Sequence, residues 1–170
     1  MSGLTMKIYW IVSLFLFLSS HDLLGQAPKQ LPAFQQFINY TNQAPFTIDS
    51  LDKKHKQVFI LYDPGCGHCQ ELGNGMGKMI HQLDTAIDYY LISMVEKEQV
   101  DGFINMFAKP LKNHPQVTFL YDPVGEFITL FHPKNFPSTY IYDKGSLKLI
   151  KHFDGENKFE KLFPILKINK

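Results

Sequence analysis

At 170 residues, 45% hydrophobic and 14% aromatic, the chain fits one domain with a real core and excludes intrinsic disorder. A net charge of +1 leaves no electrostatic footprint for nucleic acid or an anionic membrane surface. All 17 basic side chains are lysine, so bidentate recognition of phosphate by arginine is excluded as well.

Lys7 precedes an apolar run, Ile8 to Leu18, interrupted only by Ser13. The run is shorter than the roughly 18–20 residues a bilayer-spanning helix needs, and it fits the core of a secretory signal peptide. Small residues follow at Gly25 and Ala27. The expected organisation is therefore a signal segment at 1–25, a lead-in at 26–44 and one domain at 45–170. An uncleaved anchor is the alternative.

Within 28–56, Leu31, Phe34, Phe37, Ile38 and Phe46 suggest a short helix or a turn-rich lead-in, limited by Pro28, Pro32 and Pro45. Asn39-Tyr40-Thr41 also fits an N-glycosylation acceptor. The run Val58–Tyr62 predicts a buried central strand, broken by Asp63-Pro64-Gly65. A helix is predicted from Cys69 to Leu83, with a kink or irregular turn at Gly73-Asn74-Gly75-Met76-Gly77, because each glycine costs up to about 1 kcal/mol relative to alanine.

Tyr89–Val95 predicts a second buried strand. Val100, Phe103, Ile104, Phe107 and Ala108 place a helix over 98–109, ended by Pro110. Val117–Tyr121 is a short strand, Glu126–Phe131 one or two helical turns, and Thr139–Tyr142 a further strand. Asp143–Ser146 turns into a half-exposed strand at Leu147–Ile150. A last helix covers 158–167, with Pro164 a source of distortion. Strands separated by helices imply parallel crossovers, and the closing hairpin adds an antiparallel edge.

The chemistry sits in Cys66-Gly67-His68-Cys69, the only two cysteines of the chain, at a strand-to-helix junction. A disulfide closing so short a loop adds little stability, so the pair is better explained by reactivity than by stapling. A helix N-terminus carries unsatisfied N–H groups and a partial positive charge, and a thiol there ionises more readily. Cys66 would be the exposed nucleophile and Cys69 the shielded resolving thiol, with the His68 imidazole tuning the pair. Zinc is disfavoured because a structural site needs four ligands and no second pair exists. Residue 70 is Gln, where c-type haem attachment requires His. No metal and no cofactor is implied beyond the dithiol. A structural disulfide remains the alternative.

Val58–Tyr62, Cys66–Leu72 and Asn135–Gly145 together resemble the thioredoxin superfamily over residues 45–168. The Gly-His insert is that of the protein disulfide isomerase motif. Residues 98–131 resemble the insert of the periplasmic TlpA-like reductases. The resemblance implies an α/β thioredoxin-like fold: a central mixed sheet flanked by helices, with an extra strand–helix insert. It further implies a cis Pro137 beside the cysteines and a substrate surface including Phe136, Pro137 and Gly65. The implied activity is thiol–disulfide exchange with protein thiols in the periplasm. A membrane or soluble redox partner would regenerate the pair, and nucleic acid plays no part. Three positions depart from the pattern. Gly65 replaces the usual aromatic residue, and Asn74 a helix-kinking proline. Ile60 replaces a buried acid, which passes proton transfer at Cys69 to Asp63, Glu71 or water.

Overall fold

The computed structural model describes residues 26–168. The expected signal segment, residues 1–25, lies outside them. Seven strands form one sheet: β1 (Phe37–Asn39), β2 (Pro45–Phe46), β3 (Lys56–Leu61), β4 (Ile87–Ser93), β5 (Val117–Tyr121), β6 (Ser138–Tyr142) and β7 (Leu149–Asp154). Among the described residues, four α-helices accompany it: α1 (Gly67–Met79), α2 (Lys97–Phe107), α3 (Glu126–Phe131) and α4 (Phe159–Leu166). The strand order is β2-β1-β5-β4-β3-β6-β7.

β3 and β4 carry the apolar runs Val58–Leu61 and Tyr89–Ile92 because the sheet is covered on both faces. Successive residues point to opposite sides. Val58, Ile60, Tyr89 and Leu91 pack with Leu72, Met76, Phe103, Phe159 and Leu162 of α1, α2 and α4. Phe59, Leu61, Tyr90 and Ile92 pack with Phe127 and Phe131 of α3 and with Leu31, Phe34 and Phe37. The expected lead-in is therefore part of the sheet and its cover. Instead of a short helix, β1 pairs antiparallel with both β5 and β2. The need to bury Phe34 and Phe37 under the second face outweighs local helix spacing.

β3, β4 and β5 run parallel, as strand–helix–strand order predicts. β6 does not: it lies antiparallel to β3, with Ser138 opposite Leu61. The six residues of α3 advance only about 9 Å, too little to carry the chain back along a strand. β6 consequently starts at the end of the sheet where β3, β4 and β5 finish. β7 begins at Leu149 rather than at Leu147. Leu147 takes a left-handed backbone (φ 51°) and packs in the second core cluster. An irregularity at Ile141/Tyr142 then resets the register.

The glycine cluster does not break α1, which runs continuously through Gly73, Gly75 and Gly77 before a 3-10 turn at Ile80–Gln82. These glycines buy close approach. A Cβ at Gly73 would stand 2.7 Å from Phe103 Cζ of α2, one at Gly75 3.0 Å from Phe159 Cβ of α4, and one at Gly77 3.2 Å from Pro110 Cδ. Gly102 in α2 is a contrast, since a Cβ there meets only Met106 Cε at 3.9 Å. Gly102→Ala should stabilise the fold by about 0.5–1 kcal/mol through helix propensity alone. Urea unfolding would read this as a raised midpoint at unchanged slope; a lowered midpoint refutes it. Pro164 lies inside α4, which still continues to Leu166.

Candidate active site

β3 delivers the chain to a tight turn. Tyr62 N–H still bonds Ile92 O at 3.0 Å. The Asp63 carboxylate then accepts Gly65 N–H at 2.7 Å, and Asp63 O accepts Cys66 N–H at 3.1 Å. Cys66 is the N-cap of α1, and its carbonyl accepts the first helical bond, from Gln70 N–H at 3.0 Å. Gln70 Nε2 also donates to Pro64 O at 2.9 Å, which ties the helix start to the turn.

This geometry makes the two thiols unequal. Cys66 is half-buried, while Cys69, one turn in, is 1% exposed. Asp63 N–H donates to Cys69 Sγ at 3.4 Å. Burial foremost, with the neighbouring Cys66 thiol, pushes the Cys69 thiol up to about 12, and the Asp63 N–H opposes that shift. Gly65, Gly67 and His68 are exposed around the mouth of the turn.

The Phe136–Pro137 bond is cis. Since Ser138 stands opposite Leu61, the 134–137 turn and the cysteine turn occupy the same end of the sheet. Pro137 is buried and its carbonyl accepts Gly155 N–H at 2.8 Å. Phe136 is half-buried and packs against both core clusters.

Ile60 is 2% exposed in the β3 ladder, so no acid lies beneath Cys69 there. Glu71 is exposed and bound to Lys158 and Asn157. Of the two carboxylates expected to serve Cys69, Asp63 has its backbone in direct contact with the sulfur. Sequence reasoning missed two features. Tyr62 lines the same small cavity as Cys69, and its buried hydroxyl has no hydrogen-bond partner among the described residues. Asp154 reaches the turn before Pro137, and His152 reaches Ser138 just after it. Their alternate spacing on a strand is the available signal, but the sequence pattern ends that strand at Ile150. Among the described residues, no group of three His, Cys, Asp or Glu side chains is placed to hold a metal ion.

No family model matches the chain, and no curated protein matches it by sequence. Solved structures do. StoA from Bacillus subtilis is similar over 79% of this chain and 96% of its own, at 15% identity and a TM-score of 0.58. MTB DsbF is similar over 81% and 94%, at 17% identity and 0.61. The thioredoxin domain of a thiol-disulfide oxidoreductase from Bacteroides vulgatus is similar over 83% and 98%, at 14% identity and 0.57. The fold is thioredoxin-like: a mixed sheet between helices, with the two cysteines where β3 passes into α1.

Proposed function

We propose that the protein is an exported thiol–disulfide oxidoreductase that exchanges disulfides with protein thiols through Cys66 and Cys69. The observation that carries this reading is the inequality of the two thiols: one half-exposed at the helix N-terminus, the other buried one turn behind it. The Cys66 thiolate attacks one sulfur of a substrate disulfide. That S–S bond breaks, the departing sulfur leaves as a thiolate that takes up a proton, and a mixed disulfide forms. Cys69 then loses its proton and attacks Cys66 Sγ, expelling the second substrate sulfur. Two electrons have passed to the substrate, and the protein holds the Cys66–Cys69 disulfide. The reverse sequence oxidises a substrate dithiol.

His68 stands exposed beside the pair and tunes it, and Gly65 and Phe136, seated by Pro137, form the surface against which an extended substrate lies. No cofactor is required. A membrane or soluble redox partner regenerates the pair, and export of the chain past a signal segment at 1–25 places the reaction in the periplasm.

The reduction potential tests the reading and gives its direction. Equilibration with glutathione and dithiothreitol should yield a value between about −120 and −200 mV for an oxidase or isomerase, or near −270 mV for a reductase. Failure to exchange with either buffer would replace the enzyme with a binding module that keeps a structural Cys66–Cys69 bond. Asp63 is the proton acceptor we assign to Cys69, because its carboxylate charge, and not that of Glu71, acts on the Cys69 thiol. Asp63→Asn should slow resolution of the mixed disulfide about tenfold and leave its formation unchanged. The effect falls below the 10²–10⁴ typical of general bases because Asp63 is only half-buried and water can substitute. Stopped-flow detection of both phases would separate them; slowing of the first phase alone would remove Asp63 from the role.

A further inference from the structure

We infer that Asp154 is a positioning residue that sets the conformation of the substrate-facing turn 134–137, acting through the backbone of Lys134 and Asn135. The inference rests on the oxidoreductase reading and deepens it. Asp154 ends β7 directly opposite Ser138. Its Oδ1 accepts the backbone N–H of Lys134 at 3.2 Å and of Asn135 at 3.1 Å, and its Oδ2 accepts Asn135 Nδ2 at 3.2 Å. Three donors from one exposed turn thus converge on one carboxylate, and hydrogen bonds to an ionised acceptor are stronger than neutral ones.

The next residue completes the clamp. Gly155 N–H donates to Pro137 O at 2.8 Å. Its φ of +79° and a virtual Cβ only 3.2 Å from Asn135 Cβ require glycine at this close approach. The carboxylate is braced from behind as well. His152 Nε2 lies 3.0 Å from Ser138 Oγ and 4.0 Å from Asp154 Oδ1, and its ring stacks on Tyr140 at 4.1 Å. Burial raises the Asp154 carboxyl, but the bonds from Asn135 and Lys134 hold it below the usual carboxylate range, so it is ionised at neutral pH.

The cluster is not a hydrolytic triad. Ser138 is fully buried, and both the serine and the acid approach the same imidazole nitrogen, whereas a triad uses the two nitrogens separately. What the cluster does hold is the backbone immediately before Pro137, at the end of the sheet that carries Cys66. A polypeptide substrate needs that backbone in one conformation to lie along it. A small dithiol needs only the sulfur of Cys66.

The test compares Asp154→Ala and Asp154→Asn with the wild type on two substrates, oxidised dithiothreitol and an unfolded disulfide-containing polypeptide. In D154A, KM for the polypeptide should rise about five- to tenfold with kcat within twofold, and dithiothreitol exchange should stay within twofold. D154N keeps an Oδ1 acceptor for both backbone N–H groups and should recover most of the loss. An unchanged KM in D154A, or equal losses on both substrates, overturns the inference. Should D154A fail to fold, hydrogen exchange in the wild type decides: protection of the Lys134 and Asn135 amides, although both residues are exposed, supports the clamp, and exchange at the rate of a free peptide overturns it. A wild type inert to dithiothreitol overturns the oxidoreductase reading and this inference with it. An active wild type indifferent to both substitutions overturns this inference alone.

Discussion

Cys66→Ser should abolish disulfide exchange, by more than about 10³-fold as for other lost nucleophiles, whereas Cys69→Ser should stop the reaction halfway. A serine oxygen cannot form the mixed disulfide, so no part of the cycle survives at residue 66. In C69S the first attack is intact, but the second sulfur is missing, and the protein should accumulate covalently joined to its substrate. A non-reducing gel would display that species, and dithiothreitol would release it. The asymmetry follows from position. Cys66 is half-buried at the N-cap of α1, and Cys69 is 1% exposed with its thiol pushed up to about 12 by burial. Iodoacetamide should therefore modify Cys66 in the folded protein and reach Cys69 only on unfolding. Equal labelling of both cysteines, or exchange persisting in C66S, would end the proposed division of labour.

That division was legible in the sequence because it is a local matter. Two cysteines at i and i+3, after an apolar run and before a helix, define an outer and an inner thiol with no knowledge of the remaining chain. The strand at Val117–Tyr121 and the short helix at Glu126–Phe131 were legible for the same reason, and both appear with those bounds. What local pattern could not supply was the identity of the neighbour. Gly73, Gly75 and Gly77 look like weak points to a propensity scale, and only Phe103, Phe159 and Pro110, distant in sequence, make them contact points. Phe34 and Phe37 have helical spacing, yet the open second face of the sheet draws them into its cover. The direction of β6 depends on how far α3 can travel, which a list of elements does not contain. The Asp154 clamp needed the extent of β7, which starts at Leu149 once Leu147 turns into the core and runs four residues past Ile150 to Asp154.

The same contact between Gly73 and Phe103 yields the largest effect expected on stability. Gly73→Val should destabilise the protein by about 2–3 kcal/mol, within the range for overpacked cores, although valine has a somewhat better helix propensity than glycine. Even the first added carbon would stand 2.7 Å from Phe103 Cζ and 3.4 Å from Cε2. Phe103 cannot swing clear. It is 2% exposed, and its ring lies 4.6 Å from that of Tyr62 and 6.3 Å from that of Phe107. Relief must come from separating α1 and α2, which opens the cavity wall that Phe103 shares with Cys69, Leu72 and Met76. The melting temperature should fall by roughly 5–10 °C for a domain of this size. The loosened wall should also admit alkylating agent to Cys69 in the folded state. Gly73→Ala should show the same direction with a smaller loss. An unchanged or raised melting temperature in G73V would mean that the helices have room between them, and that the glycines of α1 serve some purpose other than close packing.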